Sequence, residues 1–534
     1  MSNPSLMLEL LAPELILVVG ASIILLLGLS RTLGHVSMWL GLVYVAGAAF
    51  AAYRLAEQYA GANPLIVPAL NHSPLVFYVR LVTLAVGALI LLVNRHVPED
   101  EERGEFFALI LFSLSGISLV SIANNLILLF LALELVSVPT YILIGLSRRD
   151  IRAQEATGKY FFLGAFAAAM MLYGFSFLYG AAGTMTMYAA PLSGKASILE
   201  VLSAADALRD PLVLIGLLLT LGGLAFKIAA VPLHFYVADV YQGAASPVSG
   251  MLGFVPKFAG FVALIQIFAL CNWQFGNAVF WLMWTLAAVT MTVGNTLALM
   301  QHNVKRMLAY SSVAHSGYML VALTAGSVGL TAILFYMTVY GVMNLGAFAA
   351  LSFFRKPGLD DQDESAEMLD DLAGAARRHP WAGLALAICV LGLMGFPLTG
   401  GLFGKFYIFS AALSVSGGGG NLSAAHGTGM IVLVVVGVLN AAVGAAYYLR
   451  ILATCYLRKP AAGMTSSECR ALRWSLGLCA MLVLAAFLQP GFLFNVSQKA
   501  VSGVTQRTGL LLGKKTQAQE DANQGKISLR PSTD

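Results

Sequence analysis

Gly222-Gly223-Leu224-Ala225-Phe226-Lys227-Ile228-Ala229-Ala230-Val231-Pro232-Leu233-His234 is the stretch on which the fold turns. It lies in an apolar segment from about 211 to 242, too long for one plain crossing of a bilayer, which takes about 20 helical residues. Paired glycines and a proline interrupt a helical ladder and free backbone groups. Non-helical backbone at membrane depth persists only where protein buries it or it lines a wet cavity. A mid-bilayer ammonium costs roughly 2.5–3.5 kcal/mol on insertion scales, so Lys227 needs a reason to be there.

The pattern recurs. Gly400-Gly401-Leu402-Phe403-Gly404-Lys405 repeats the GGLxxK spelling 178 residues on, with Pro397 beside it. It too lies in an over-long apolar segment, from 380 to 414. Interrupted segments at corresponding places in two halves point to a transport site.

Outward from these segments the whole chain is apolar. Of 534 residues, 59% are hydrophobic and 11% charged, and the mean hydropathy is +0.81. Soluble domains carry about 25% charged residues, so this is an integral membrane protein. Fourteen candidate spans lie near 13–31, 37–54, 74–94, 105–122, 125–147, 159–181, 211–242, 248–271, 277–299, 306–326, 328–354, 380–414, 428–456 and 471–492. The start, Met1 to Pro13, holds no Lys or Arg, which argues for a retained first helix over a cleavable signal. The expected fold is all-α and polytopic, with about fourteen transmembrane helices, two of them broken.

Shifting by 178 residues carries Glu134 onto Ser312 and maps spans four to eight onto nine to thirteen. Five helices per unit make the two copies inverted in the membrane. The expected organisation is a three-helix segment (1–104), a first repeat (105–271), a second repeat (272–456), a last helix (457–492) and a polar, disordered tail (493–534). With both termini outside, eighteen Lys and Arg fall in cytoplasmic loops against three, Arg54, Lys195 and Arg209, in the opposite ones. That bias places both termini on the outer, periplasmic side of the cell's inner (plasma) membrane. The acidic run from Asp360 to Asp371 is expected to be a solvated cytoplasmic loop.

The informative charges are those left inside spans: Arg80, Lys227, Lys257, Lys405 and Glu134, with His234 and His315 as titratable rings. Glu134 lies nine residues into its helix, roughly 13 Å deep at 1.5 Å per residue. It could be a structural ion pair. Three buried lysines against one deep glutamate cannot all be paired, however, and a surplus buried ammonium sheds its proton more readily. Sites that load and unload are what a proton relay requires. Lys257 follows Pro256, so its helix can be locally opened. His234 and His315 read equally as onward proton acceptors or as hydrogen-bonded packing rings. Arg80, some six residues into its span, is expected to snorkel. Asp239 lies near a span end, and Tyr310 and Tyr318 read as packing.

Other chemistries lack their signatures. No Walker A loop or dinucleotide fingerprint is present. The five cysteines are scattered without CxxC spacing, which supports neither an iron–sulfur nor a zinc site. Net charge +5 without a basic stripe excludes nucleic-acid binding.

Phe226 to His234, continuing through Asp239-Val240-Tyr241-Gln242-Gly243-Ala244 and Ser246-Pro247-Val248, resembles the broken-helix motif of the antiporter-like subunits of respiratory complex I. Asn303 to Ser312 with His315 and Gly317-Tyr318, and Gly395 to Phe406, resemble the tenth and twelfth helices of that family. The chain stops after fourteen helices, without the long lateral helix of subunit L, and its twelfth span carries a lysine where subunit M typically has glutamate. The resemblance implies that Glu134 pairs with Lys227, that Lys257 is the central relay, that His234 lies on the path, and that Lys405 connects to the outward side. It implies no redox cofactor in this chain: NAD, FMN, iron–sulfur clusters and quinone belong to partner subunits. The implied partners are antiporter-like subunit M, small membrane subunits and the lipid bilayer. A subunit of a multi-subunit cation/proton antiporter, driven by a counter-ion, shares the motifs and stands as the alternative.

Overall fold

The structure is a computed structural model that describes residues 4–30, 34–59, 65–66, 69–99, 101–188, 197–203, 207, 210–273, 276–357, 363–416, 424–460, 464–502 and 504. The helices run in chain order as α1 (Pro4–Leu10), α2 (Ala12–Gly28), α3 (Ser37–Gln58), α4 (Pro74–Val93), α5 (Arg103–Ile122), α6 (Leu126–Ser147) and α7 (Ile151–Ala182). The short α8 (Ile198–Leu202) is followed by α9 (Pro211–Lys227), α10 (Val237–Gly243), α11 (Ser246–Leu252), α12 (Val255–Leu270), α13 (Asn277–Leu299), α14 (Val304–Thr324) and α15 (Leu330–Phe353). The last are α16 (Ala375–Arg378), α17 (Pro380–Met394), α18 (Gly400–Ser416), α19 (Ala424–Leu457) and α20 (Arg470–Leu488). Among the described residues, ten helical segments are long and apolar enough to cross a membrane, and α2, α9 and α17 are shorter apolar helices. The fold is thus the expected polytopic helical bundle.

Both over-long segments are broken, and in the same way. The segment at 211–242 is α9 and α10 with turns between, and the segment at 380–414 is α17 and α18. After α9, Ala229 takes a left-handed φ of 59°. The Ala230 and Ala229 amides donate back to Ala225 O at 2.8 Å and Phe226 O at 3.0 Å. After α17, Gly395 takes φ 84°, and the Phe396 and Gly395 amides donate to Leu391 O at 2.9 Å and Gly392 O at 3.0 Å. Each is a Schellman closure, satisfying the last carbonyls of its helix. A third interruption lies where the sequence suggested one span, between α11 and α12. Pro256 at the head of α12 has no N–H to continue the ladder.

The repeat is visible in the packing. α5 lies on α6 and α12 as α13 lies on α14 and α19, and α7 lies on α9 and α10 as α15 lies on α17 and α18. Gly116 sits against the Val136 amide and Gly294 against the Ala314 amide, at 2.8 and 2.6 Å from the position a Cβ would take. Both members of the second pair lie 178 residues after those of the first. A side chain at either glycine would push the paired helices apart. The centre of the bundle is α12, buried along its whole length, with α14 and α15 almost wholly buried beside it.

Three features differ from the sequence reading. Residues 490–502 are helical, so the tail does not begin at 493; Ser497, Ala500 and Val501 are buried on one face of this stretch. The Ser497 hydroxyl donates to Tyr78 Oη at 3.0 Å. Most of the residues expected to form the disordered tail, from 505 on, lie outside the described residues. Arg80 does not snorkel: it is 1% exposed and paired with a carboxylate the sequence reading passed over, Glu14 on α2. The acidic segment is not simply solvated. β2 (Asp363–Ser365) pairs with β1 (Phe354–Pro357), which also pairs with β3 (Thr465–Ser466). Glu367 turns inward onto Lys305 at 3.1 Å and Arg148 at 2.7 Å.

Candidate functional site

The breaks set the site. With α9 ended at Lys227, loose backbone groups are taken up by side chains: Tyr236 Oη donates to Phe226 O at 2.9 Å and the Val231 amide donates to Thr290 Oγ1 at 3.0 Å. Lys227 points onto α6, donating to Glu134 Oε1 at 3.0 Å and to Ser137 Oγ. Lys227 is buried, whereas the Glu134 side chain is 22% exposed. Glu134 shares its helix face with the exposed side chains of Ile127, Leu131, Val138 and Ile142, so the pair spans from the bundle interior to its outer surface.

Lys257 stands one residue after Pro256 in the most buried helix and is 1% exposed. Its ammonium donates to Ser312 O at 2.5 Å, Ser312 Oγ at 2.9 Å and Ser316 Oγ at 3.1 Å, all on α14. No carboxylate pairs with it among the described residues. A narrow void, too small to admit a water, lies between Lys227 and Lys257 and is lined by Tyr160, Tyr236, Tyr241, Leu252 and Pro256.

His315 sits on the same α14 turn, between the two serines that hold Lys257. Its Nδ1 lies 2.6 Å from Tyr336 Oη and its Nε2 2.9 Å from Tyr448 Oη. Tyr448 in turn bonds Ser311. Lys405 completes the row. Its ammonium donates to Met394 O at 2.8 Å, a carbonyl at the open end of α17, and lies 5.0 Å from the centroid of the Tyr318 ring. Tyr318 is itself 5.8 Å from the His315 ring and accepts from Asn295 at 3.2 Å.

The structure therefore brings Glu134, Lys227, Lys257, His315 and Lys405 into one buried row. It sets His234 aside: that ring is half-buried, 3.3 Å from Pro232 O and 6.5 Å from the Tyr310 ring. Asp239 lies in an ion-paired cluster with Arg306 at 2.7 Å and Lys159 at 2.9 Å. Sequence reasoning missed the connecting groups Ser137, Ser316, Tyr336 and Tyr448, and Tyr318 does more than pack. The signal was a run of hydroxyls on α14, Ser311-Ser312 and Ser316 around His315, in a helix otherwise bound for the core. Such a row places donors and acceptors at intervals through an interior where an unpaired polar group is costly.

A helical bundle with two like-broken helices, an internal repeat and a row of buried ammoniums defines a membrane subunit of the antiporter-like class. The family model described as NADH:quinone oxidoreductase/Mrp antiporter, TM, matches residues 123–430. The chain is 37% identical to NADH-quinone oxidoreductase subunit N 1 of Solibacter usitatus over 94% of this chain and 98% of that protein. It is 36% identical to NADH-quinone oxidoreductase subunit N of Trichlorobacter lovleyi over 84% and 88%. The chain belongs to the subunit N family of NADH–quinone oxidoreductase. Among solved structures it matches a chain of respiratory complex I from Thermus thermophilus, with TM-score 0.71 and 29% identity over 90% of this chain and 98% of that one. The fold also matches a chain of the Mrp complex from Dietzia sp. DQ12-45-1b, with TM-score 0.78 and 18% identity over 95% and 99%.

Proposed function

We propose that the chain moves protons across the cell's inner membrane through the mid-membrane row, in step with quinone reduction carried out by partner subunits of the membrane and peripheral arms. The observation that carries this reading is the row itself. Five ionisable groups from α6, α9, α12, α14 and α18 stand in a row with serines and tyrosines between them, a narrow void separating Lys227 from Lys257 and the Tyr318 ring lying between His315 and Lys405. Glu134 and Lys227 form the entry pair, Lys257 is the central carrier, and Lys405 hands on to the outer side. His234 would serve at the margin of this path rather than within it. NAD, FMN, iron–sulfur clusters and quinone would be held by partners, among them antiporter-like subunit M and small membrane subunits, with both termini of this chain outside.

The test is proton pumping by the assembled complex in vesicles. Lys227→Ala and Glu134→Ala should leave assembly intact while proton translocation and coupled quinone reduction fall. Full pumping in both variants would reduce the pair to a helix-holding contact. Purification with a cation-exchanging complex, rather than with NADH-oxidising subunits, would favour the antiporter alternative.

A further inference from the structure

We propose that the cavity between the N-terminal turns of α17 and α20 binds the headgroup of an anionic phospholipid of the cytoplasmic leaflet. The cavity is about 630 Å³ and is lined by Phe353, Arg378, His379, Trp381, Arg473 and Trp474, with Arg470 at its rim. It opens at the helix ends that the Lys and Arg count assigns to the cytoplasmic side, and its lining includes none of the residues of the buried row.

Three observations converge on an anion there. Arg378, Arg470 and Arg473 all line the cavity, and no carboxylate pairs with any of them among the described residues. Among the described residues Arg473 donates only to Ser467 O, at 3.3 Å, and rests its guanidinium 5.8 Å from the Phe353 ring centre. Neither helix that opens on the cavity has a side-chain cap: α17 follows His379 and α20 follows Cys469, with no capping hydrogen bond at either. The uncapped N-terminus of α20 presents free N–H groups and the positive end of its dipole, and α17, whose first residue Pro380 has no N–H, adds its dipole and the amides that follow.

The surroundings say that the anion is a lipid. Trp381 and Trp474 flank the cavity at 50% and 78% exposure, the placement of an aromatic belt at headgroup level. Beneath them, exposed Leu384 on α17 and Met481 and Leu488 on α20 provide an apolar surface along which acyl chains can lie. Basic pockets between helices on the cytoplasmic side suit acidic headgroups. A soluble phosphate would use the arginines and leave the tryptophans and this stripe without a role.

The experiment uses the assembled complex in vesicles of phosphatidylcholine containing a minor share of phosphatidylglycerol with photoreactive acyl chains. Crosslinks should map to 381–384 and 474–488. An R378A/R470A/R473A variant should need on the order of 100-fold more phosphatidylglycerol for equal labelling, since each of the three arginines near a membrane surface contributes about fivefold. The R378K/R470K/R473K variant, which keeps the charge, should retain most of the labelling and controls for folding. Equal labelling by photoreactive phosphatidylcholine, equal labelling of the alanine variant, protection by inorganic phosphate alone, or crosslinking of these positions to a partner polypeptide would each overturn the proposal.

Discussion

Replacing Glu14 with leucine should be among the most destabilising single changes in the chain. Its carboxylate accepts from Arg80 Nε at 2.8 Å and Nη2 at 2.7 Å, and from the Ser118 hydroxyl. Arg80 and Glu14 are 1% and 2% exposed. At 2.7 Å the gross attraction is about 6 kcal/mol for an effective dielectric near 20. Much of that is offset by the cost of taking both ions out of water. Removing one partner leaves the other charged, buried and underbonded, which costs about 3–5 kcal/mol. Arg80 would keep only its bond to Leu10 O at 2.7 Å. The double variant Glu14→Leu/Arg80→Met removes both charges, and its loss should fall short of the sum of the two single losses by about 2–3 kcal/mol. Equilibrium unfolding in mixed detergent, followed by tryptophan fluorescence, gives the four corners of that cycle. Single losses below about 1 kcal/mol, within the range of exposed pairs, or an additive double variant, would refute a buried, mutually dependent pair.

Other expectations follow from the site and its supports. A Cβ at Gly404 would run into the Tyr336 ring, which is 2.6 Å from His315; Gly404→Ala should lower proton pumping in the assembled complex, whereas Gly180→Ala, with open space around it, should not. Tyr448→Phe keeps the ring but loses the contacts to His315 and Ser311, so pumping should fall, and by less than on loss of Lys257. Burial alone would raise the Glu367 carboxyl, but Lys305 and Arg148 beside it hold it below its usual value. Its contribution to the loop that caps Lys305 is therefore present at neutral pH and is lost only as pH falls through that lowered value. Hydrogen exchange at 363–369 should stay slow down to the ordinary glutamate range and rise below it; a rise near neutral pH would contradict the assignment.

Much of this was legible because charge inside an apolar span is rare and costly. Lys227 and Lys405 stood out within doubled glycines, and Pro256 marked the opening beside Lys257. What hydropathy reports is depth along a helix, not which way a side chain faces. Arg80 was thus assigned to the interface by depth, while its direction, toward α2, came from packing. Glu14 was overlooked because it stands at the edge of its span, where a carboxylate needs no explanation until a partner is seen. The bridging tyrosines were unreadable for another reason. Tyr336 and Tyr448 are amphipathic residues that cores accept freely, and only the register of α15 and α19 against α14 puts their hydroxyls on His315. The helix at 490–502 was lost among polar neighbours, since Gln498 and Lys499 are exposed while Ser497, Ala500 and Val501 face inward.

The central claim is that protons cross through Lys257, the one ammonium in the row held by serines alone. The direct measurement is the ratio of protons translocated to NADH oxidised by the complex in sealed vesicles, comparing the unmodified chain with Lys257→Met. The account predicts normal assembly with proton translocation through this chain abolished and coupled turnover reduced. An unchanged ratio at unchanged turnover would contradict it.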